Sequence, residues 1–178
     1  MDLKRVHIAC GERRPPGYIH VDVREEVEPD IVCDVSDLPE HFQENSVHEF
    51  YWCHGLEHIP RPLQLSTLGL LKPLLKPGGI LRLAVPDFQA MAGLYIAGGV
   101  QLQRLLGLLH GRQNYPENTH YCSYDYETLA WVLTKAGFID VTRYNPWEMF
   151  PPDYDDYSKA RINDICVSLN MVCRKSPS

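Results

Sequence analysis

The sequence has no Lys/Arg-rich stripe. Its 17 basic residues are outnumbered by 23 acidic ones, for a formal charge of −6. Duplex nucleic acid needs a concentrated basic footprint, so it is not an expected partner. No apolar run approaches the ~18 residues of a spanning helix, and no charged, apolar leader precedes the first strand. The six cysteines include no C-x-x-C pair. Cys10, Cys33, Cys53 and Cys166 lie in apolar runs, where a thiol behaves as a small buried hydrophobe. A disulfide framework is therefore not expected, and a reducing cytoplasm fits. Repeats, low-complexity tracts and a G-x-G-x-x-G fingerprint are also absent.

What is present suits one globular domain over residues 1–178, with 44% hydrophobic and 22% charged residues. Strands are expected at Lys4–Cys10, Tyr18–Val23, Asp30–Cys33, Ser46–Cys53 and Ile80–Val85, the last introduced by the breaker Lys76-Pro77-Gly78-Gly79. Leu65, Leu68, Leu71 and Leu75 keep helical spacing between the fourth and fifth strands, with Pro73 set to kink or divide that helix. A helical insert spans about 87–124, with an apolar stripe at Leu102, Leu105, Leu106 and Leu109 and a break at Gly98-Gly99. A further helix follows over Tyr124–Ala136, closed by Gly137. Two last strands are expected at Phe138–Tyr144 and Ile165–Arg174.

Alternating strands and helices imply an α/β fold with a mostly parallel sheet and helices on its faces. Ligands then bind beyond the carboxyl ends of the strands. Only Glu12–Gly17 separate the first two strands. A parallel crossover normally takes about a dozen residues, so the first helix must be missing or reduced.

Three successive strand tips carry chemistry. Gly11 lets backbone N–H groups approach a ligand closely. Asp22 can accept from two vicinal ribose hydroxyls. Asp34 can accept from an exocyclic amine while the Val35 N–H donates to the ring; alternatively, this stretch caps the next helix through Ser36 or Asp37.

These segments resemble the motifs of the class I S-adenosylmethionine-dependent methyltransferases. Val6-His7-Ile8-Ala9-Cys10-Gly11 resembles the first motif, with Ala9 in place of its first glycine. Asp22 matches the ribose acid, and Asp34 through Pro39 the adenine segment. His54-Gly55-Leu56-Glu57-His58 is similar to the turn after strand four, Leu75–Leu81 to the hairpin before strand five, and Ala136-Gly137-Phe138 to the turn before strand six.

The resemblance implies a Rossmann-like, seven-stranded sheet with an antiparallel last strand. It implies S-adenosyl-L-methionine as cofactor, held by Ala9, Cys10, Gly11, Asp22, Asp34, Val35 and Cys53. It is strongest to a short branch that often accompanies surface-glycan biosynthesis. That implies O-methylation of a carbohydrate or small metabolite, with a small-molecule or glycan acceptor; a homodimer is left open.

An oxygen acceptor must lose a proton, and His54, Asp87, His110 and His120 are the candidates at the expected rim. The acceptor pocket is expected from the Asp87–Tyr124 insert and from the Trp147–Asn163 loop, with its aromatic and acidic residues. Glu57 and His58 are read as fixing the turn.

Three rivals stand beside this reading. His54–His58 also spells H-x-x-E-H, the signature of inverted zinc peptidases. That chemistry needs both histidines on one helix, which Pro60 and Pro62 disfavour, so no metal is expected. A dinucleotide oxidoreductase is disfavoured by the missing glycine fingerprint. A catalytically inactive, methyltransferase-like scaffold, binding a partner through the Leu102–Leu109 helix, is the non-enzymatic alternative.

Overall fold

The computed structural model describes residues 3–177. The chain runs β1 (Arg5–Ile8), β2 (Ile19–Asp22), β3 (Ile31–Val32), α1 (Leu38–His41), β4 (Val47–Cys53), α2 (Gln64–Leu74) and β5 (Leu75–Pro86). It continues through α3 (Phe88–Ile96), α4 (Leu102–His110), α5 (Tyr126–Lys135), β6 (Ile139–Arg143), β7 (Arg161–Ile162), β8 (Ile165–Cys166) and β9 (Ser168–Arg174). Seven strands form one sheet in the order β3-β2-β1-β4-β5-β9-β6, with β7 and β8 apart as a hairpin. β9 pairs antiparallel with both neighbours, and the pairs among β1–β5 are parallel.

Alternation along each strand sends successive side chains to opposite faces. In register, Val21, Ile8, Trp52, Leu83 and Met171 form one apolar row across five strands. That face is buried under α1, α2 and α5 through Leu38, Leu68, Leu71, Leu74, Leu129 and Leu133. Full burial of each such leucine contributes about 1.5–3 kcal/mol. The neighbouring row, His20-His7-Tyr51-Arg82, belongs to the other face.

Among the described residues no α-helix covers that second face, contrary to the expectation of helices on both. β1 reaches β2 through turns alone, so the first helix is absent altogether. The chain from Asn145 to Lys159 takes its place. Phe150 packs with Tyr51, Cys53 and Ala84, against Tyr18, Met149 and Tyr154. Asp156, itself buried, accepts from the Tyr51 hydroxyl at 2.6 Å.

Three boundaries depart from expectation. The Lys76–Gly79 breaker lies within β5, not before it. Val47 opposes Leu75 and Glu49 opposes Ile80, so the intervening residues bulge out and bond Lys175 instead. α2 continues past Pro73, which sits in its last turn; Leu65 faces out, and Leu75 already belongs to the strand. The final strand is broken at Val167, because Asn163-Asp164, both at positive φ, fold β7 onto β8 as a two-residue hairpin.

The insert divides at Gly98-Gly99 as expected, and Gly137 closes α5. Of the apolar stripe on α4, Leu105 is buried, while Leu102 and Leu106 are exposed. All six cysteines are free thiols. Among the described residues no helix is long and apolar enough to cross a membrane.

Candidate active site

The carboxyl ends of β1, β2, β3, β4 and β5 share one rim. At its centre the backbone of β1 turns sharply, with Ala9 and Gly11 both at φ +52°. The turn presents the Gly11 N–H to the Asp22 carboxylate at 2.8 Å. Asp22 is buried and also accepts from the Arg24 backbone N–H at 3.0 Å and Arg24 Nε at 3.3 Å. Two carboxylate oxygens offer about four acceptor positions, so capacity for a ribose hydroxyl remains. A Cβ on Gly11 would meet Arg24 Nη2 at 3.5 Å, an ordinary van der Waals contact, so the Arg24 side chain stands over this turn.

Asp34 follows β3, where the Cys33 N–H bonds the Asp22 carbonyl at 3.1 Å. Its Oδ1 accepts from the Ser36 backbone N–H at 2.8 Å and from the Ser36 hydroxyl at 2.7 Å. Asp34 itself therefore caps the Val35–Asp37 turn, while Asp37 stands at the N-cap position of α1 without a side-chain capping bond. Val35 packs half-buried against the core. Burial pushes the Cys10 thiol up to about 11 and the Cys53 thiol well above its ordinary value. Neither is a nucleophile at neutral pH.

At the tip of β4 the chain reverses through His54, at φ +52°. Gly55 lies under the Trp52 indole so closely that a Cβ would stand 1.9 Å from Nε1. The 3₁₀ turn Leu56–His58 then buries Glu57 completely. Glu57 Oε1 lies 3.2 Å from His54 Nδ1, and His54 Nε2 lies 3.0 Å from the Ser168 hydroxyl. Burial works to raise the Glu57 carboxyl. The His54 contact and the fields of His58 and His120 outweigh it, holding the group below its ordinary value.

His120 packs edge-on to His58, with ring centroids 4.6 Å apart. Thus His54 and His120, far apart in sequence, flank one buried carboxylate. Asp87 is buried at the start of α3, where its Oδ1 caps the helix at the Ala90 N–H. His110 ends α4 exposed, outside the histidine cluster.

Two assignments need correction. The insert also reaches the tip of β2: Tyr115 stacks under the Arg24 guanidinium, 4.7 Å from carbon to ring centroid, beside Asp22. The Trp147–Asn163 loop is not mainly a rim platform. Its Phe150, Asp156 and Ser158 are buried in the packing of the second face. Trp147 is held by Arg161 at 4.5 Å, and Tyr157 alone of its aromatic rings meets His54, at 5.8 Å. Arg24 follows the tip of β2 directly but is not singled out by the sequence pattern, and Tyr115 carries no sequence signal, because their contact joins residues some ninety positions apart.

No protein-family model matches the chain, and no curated protein matches it. Solved structures do. A SAM-dependent methyltransferase from Archaeoglobus fulgidus superposes with a TM-score of 0.59 at 16% identity, over 97% of this chain and 86% of its own. A SAM-dependent methyltransferase from Thermotoga maritima gives 0.60 at 13% identity, over 97% and 82%. The 1,6-didemethyltoxoflavin-N1-methyltransferase of Burkholderia thailandensis, solved with S-adenosylhomocysteine, gives 0.55 at 17%, over 97% and 71%. The fold is the Rossmann-like methyltransferase fold.

Proposed function

We propose that residues 1–178 form one S-adenosylmethionine-dependent methyltransferase domain that methylates a hydroxyl of a carbohydrate or small metabolite. The observation that carries this reading is the succession of Gly11, Asp22 and Asp34 on adjacent carboxyl tips of a sheet with methyltransferase strand order. Gly11 and Asp22 would hold the ribose and Asp34 with Val35 the adenine, while Ala9, Cys10 and Cys53 line the same tips.

When bound, the cofactor supplies an activated methyl group, so the chain's own work is positioning and proton removal. His54, pinned between Glu57 and Ser168, is the best-placed base for an acceptor proton. A groove of about 770 Å³ runs between α3, α5 and the end of β6. Its Phe88, Tyr126, Asp125 and Glu127 offer flat faces and carboxylates suited to a hydroxyl-rich acceptor.

Calorimetric titration with S-adenosylhomocysteine tests the proposal. One site per chain, with hydroxyl methylation in a glycan and metabolite screen, is the expected result. One observation favours the scaffold reading instead: Arg24 already bonds Asp22 and stands over Gly11. Absence of binding in the titration would select that reading.

A further inference from the structure

We propose that Glu57, His58 and His120 form a binding site for one divalent transition-metal ion of the zinc type. One donor atom from each lies within 4.8 Å of the other two. An ion bonded at about 2.1 Å to each would draw them together by roughly an ångström, within the reach of side-chain rotation.

The cluster is polar, buried and under-bonded. Glu57 is fully buried; its Oε1 has the His54 Nδ1 contact at 3.2 Å, and its Oε2 has no hydrogen-bond partner. The Nδ1 of His58 is buried without a partner as well. A buried carboxylate is costly unless paired, and Oε2 together with the two imidazole rings leaves room for a cation to complete that pairing.

His120 is prepared as a ligand in the way metal-bound histidines usually are. Its Nδ1 lies 2.9 Å from the Leu108 carbonyl, to which it donates, leaving the Nε2 lone pair free. The two strands of the site are tied together by backbone. The Tyr121 N–H bonds the Glu57 carbonyl at 2.8 Å, and the His120 N–H bonds the His110 carbonyl at 3.1 Å.

This triad differs from the H-x-x-E-H chemistry set aside above. That motif needs two histidines on one helix, whereas the third donor here comes from the insert and no helix is required. His54 takes no direct part, because its Nε2 faces Ser168. Two histidines and a glutamate are a known zinc donor set, and three protein ligands would leave one face of a four-coordinate ion for a further donor. A hydroxyl bound on that face would lose its proton more readily. That last role rests on the methyltransferase reading; the binding site does not.

The test is calorimetric titration of chelator-stripped protein with zinc chloride and with manganese chloride, alongside elemental analysis of the protein as purified. We expect one ion per chain and a raised melting temperature. His58→Ala and His120→Ala should each weaken binding at least tenfold, and His41→Ala, an exposed histidine, should leave it unchanged. Glu57→Gln, nearly isosteric, should weaken it likewise if the alanine variants fail to fold. A stripped parent that takes up no more ion than the His58→Ala/His120→Ala double variant overturns the site. S-adenosylhomocysteine titration of the same stripped protein separates the two proposals. Cofactor binding without ion uptake sinks only the metal site, and ion uptake without cofactor binding sinks only the methyltransferase reading.

Discussion

Asp22 joins the Gly11 turn and Arg24 through one carboxylate, at the strand tip proposed to hold the ribose. The residue is buried. Hydrogen bonds to a charged group are worth about 1.5–3 kcal/mol. Asp22→Ala should therefore weaken S-adenosylhomocysteine binding at least tenfold by calorimetry, with a modest fall in melting temperature from the loosened turn. Asp34→Ala should weaken it less, because that carboxylate is exposed and already engaged by Ser36. Unchanged affinity in Asp22→Ala would remove the acid from the site. Gly55 gives a stability test at the same scale. Gly55→Ala drives a methyl into the Trp52 indole, and such overpacking costs about 1–3 kcal/mol, readable in urea unfolding. At this scale the sequence shows that Gly11, Asp22 and Asp34 are special, since each ends an apolar run. It does not show which acid's oxygens are already occupied, because Ser36 and Arg24 engage them only through local folding.

The insert and the Asn145–Lys159 segment exchange part of the roles their order suggests. Tyr115 stacks on Arg24 beside Asp22, the proposed cofactor end, so Tyr115→Ala should alter S-adenosylhomocysteine affinity, whereas Trp147→Ala should not. Equal effects from both, measured by the same calorimetry, would undo that division. Phe150 stands where a first helix would bury its apolar stripe. Phe150→Ala should cost about 3–5 kcal/mol, as large core truncations do, and not the few tenths expected of a mobile loop. The elements themselves are legible from alternation and helical spacing. Their ends are less so: Pro73 is tolerated in a last turn, and Gly78-Gly79 bulges inside a strand because Lys175 supplies the missing partners.

Across the whole molecule, the second sheet face sets a pH limit. His7 is buried between His20 and Tyr51, with neither ring nitrogen bonded. Burial, reinforced by His20, lowers its pKa from 6.5 to about 3. The native state keeps it neutral, while the unfolded chain protonates near 6.5. Its contribution is therefore fully present above about pH 6.5 and is lost as pH falls from there toward 3. The slope for one proton is about 1.4 kcal/mol per pH unit. Urea unfolding at pH 7, 5.5 and 4.5 should show this fall, and His7→Leu should flatten it. An equally steep decline in His7→Leu would place the effect elsewhere.

By itself the sequence determines the α/β alternation, the missing first helix and the strand tips that bear Gly11, Asp22 and Asp34. These are local matters, set by side-chain period, by the short Glu12–Gly17 connection and by the residues that end each strand. Tertiary structure alone decides that an irregular segment replaces the absent helix, and that His120 crosses from the insert to meet Glu57 and His58. Both outcomes depend on contacts between residues tens of positions apart. Sequence period carries no record of such contacts; packing two sheet faces with different partners creates them.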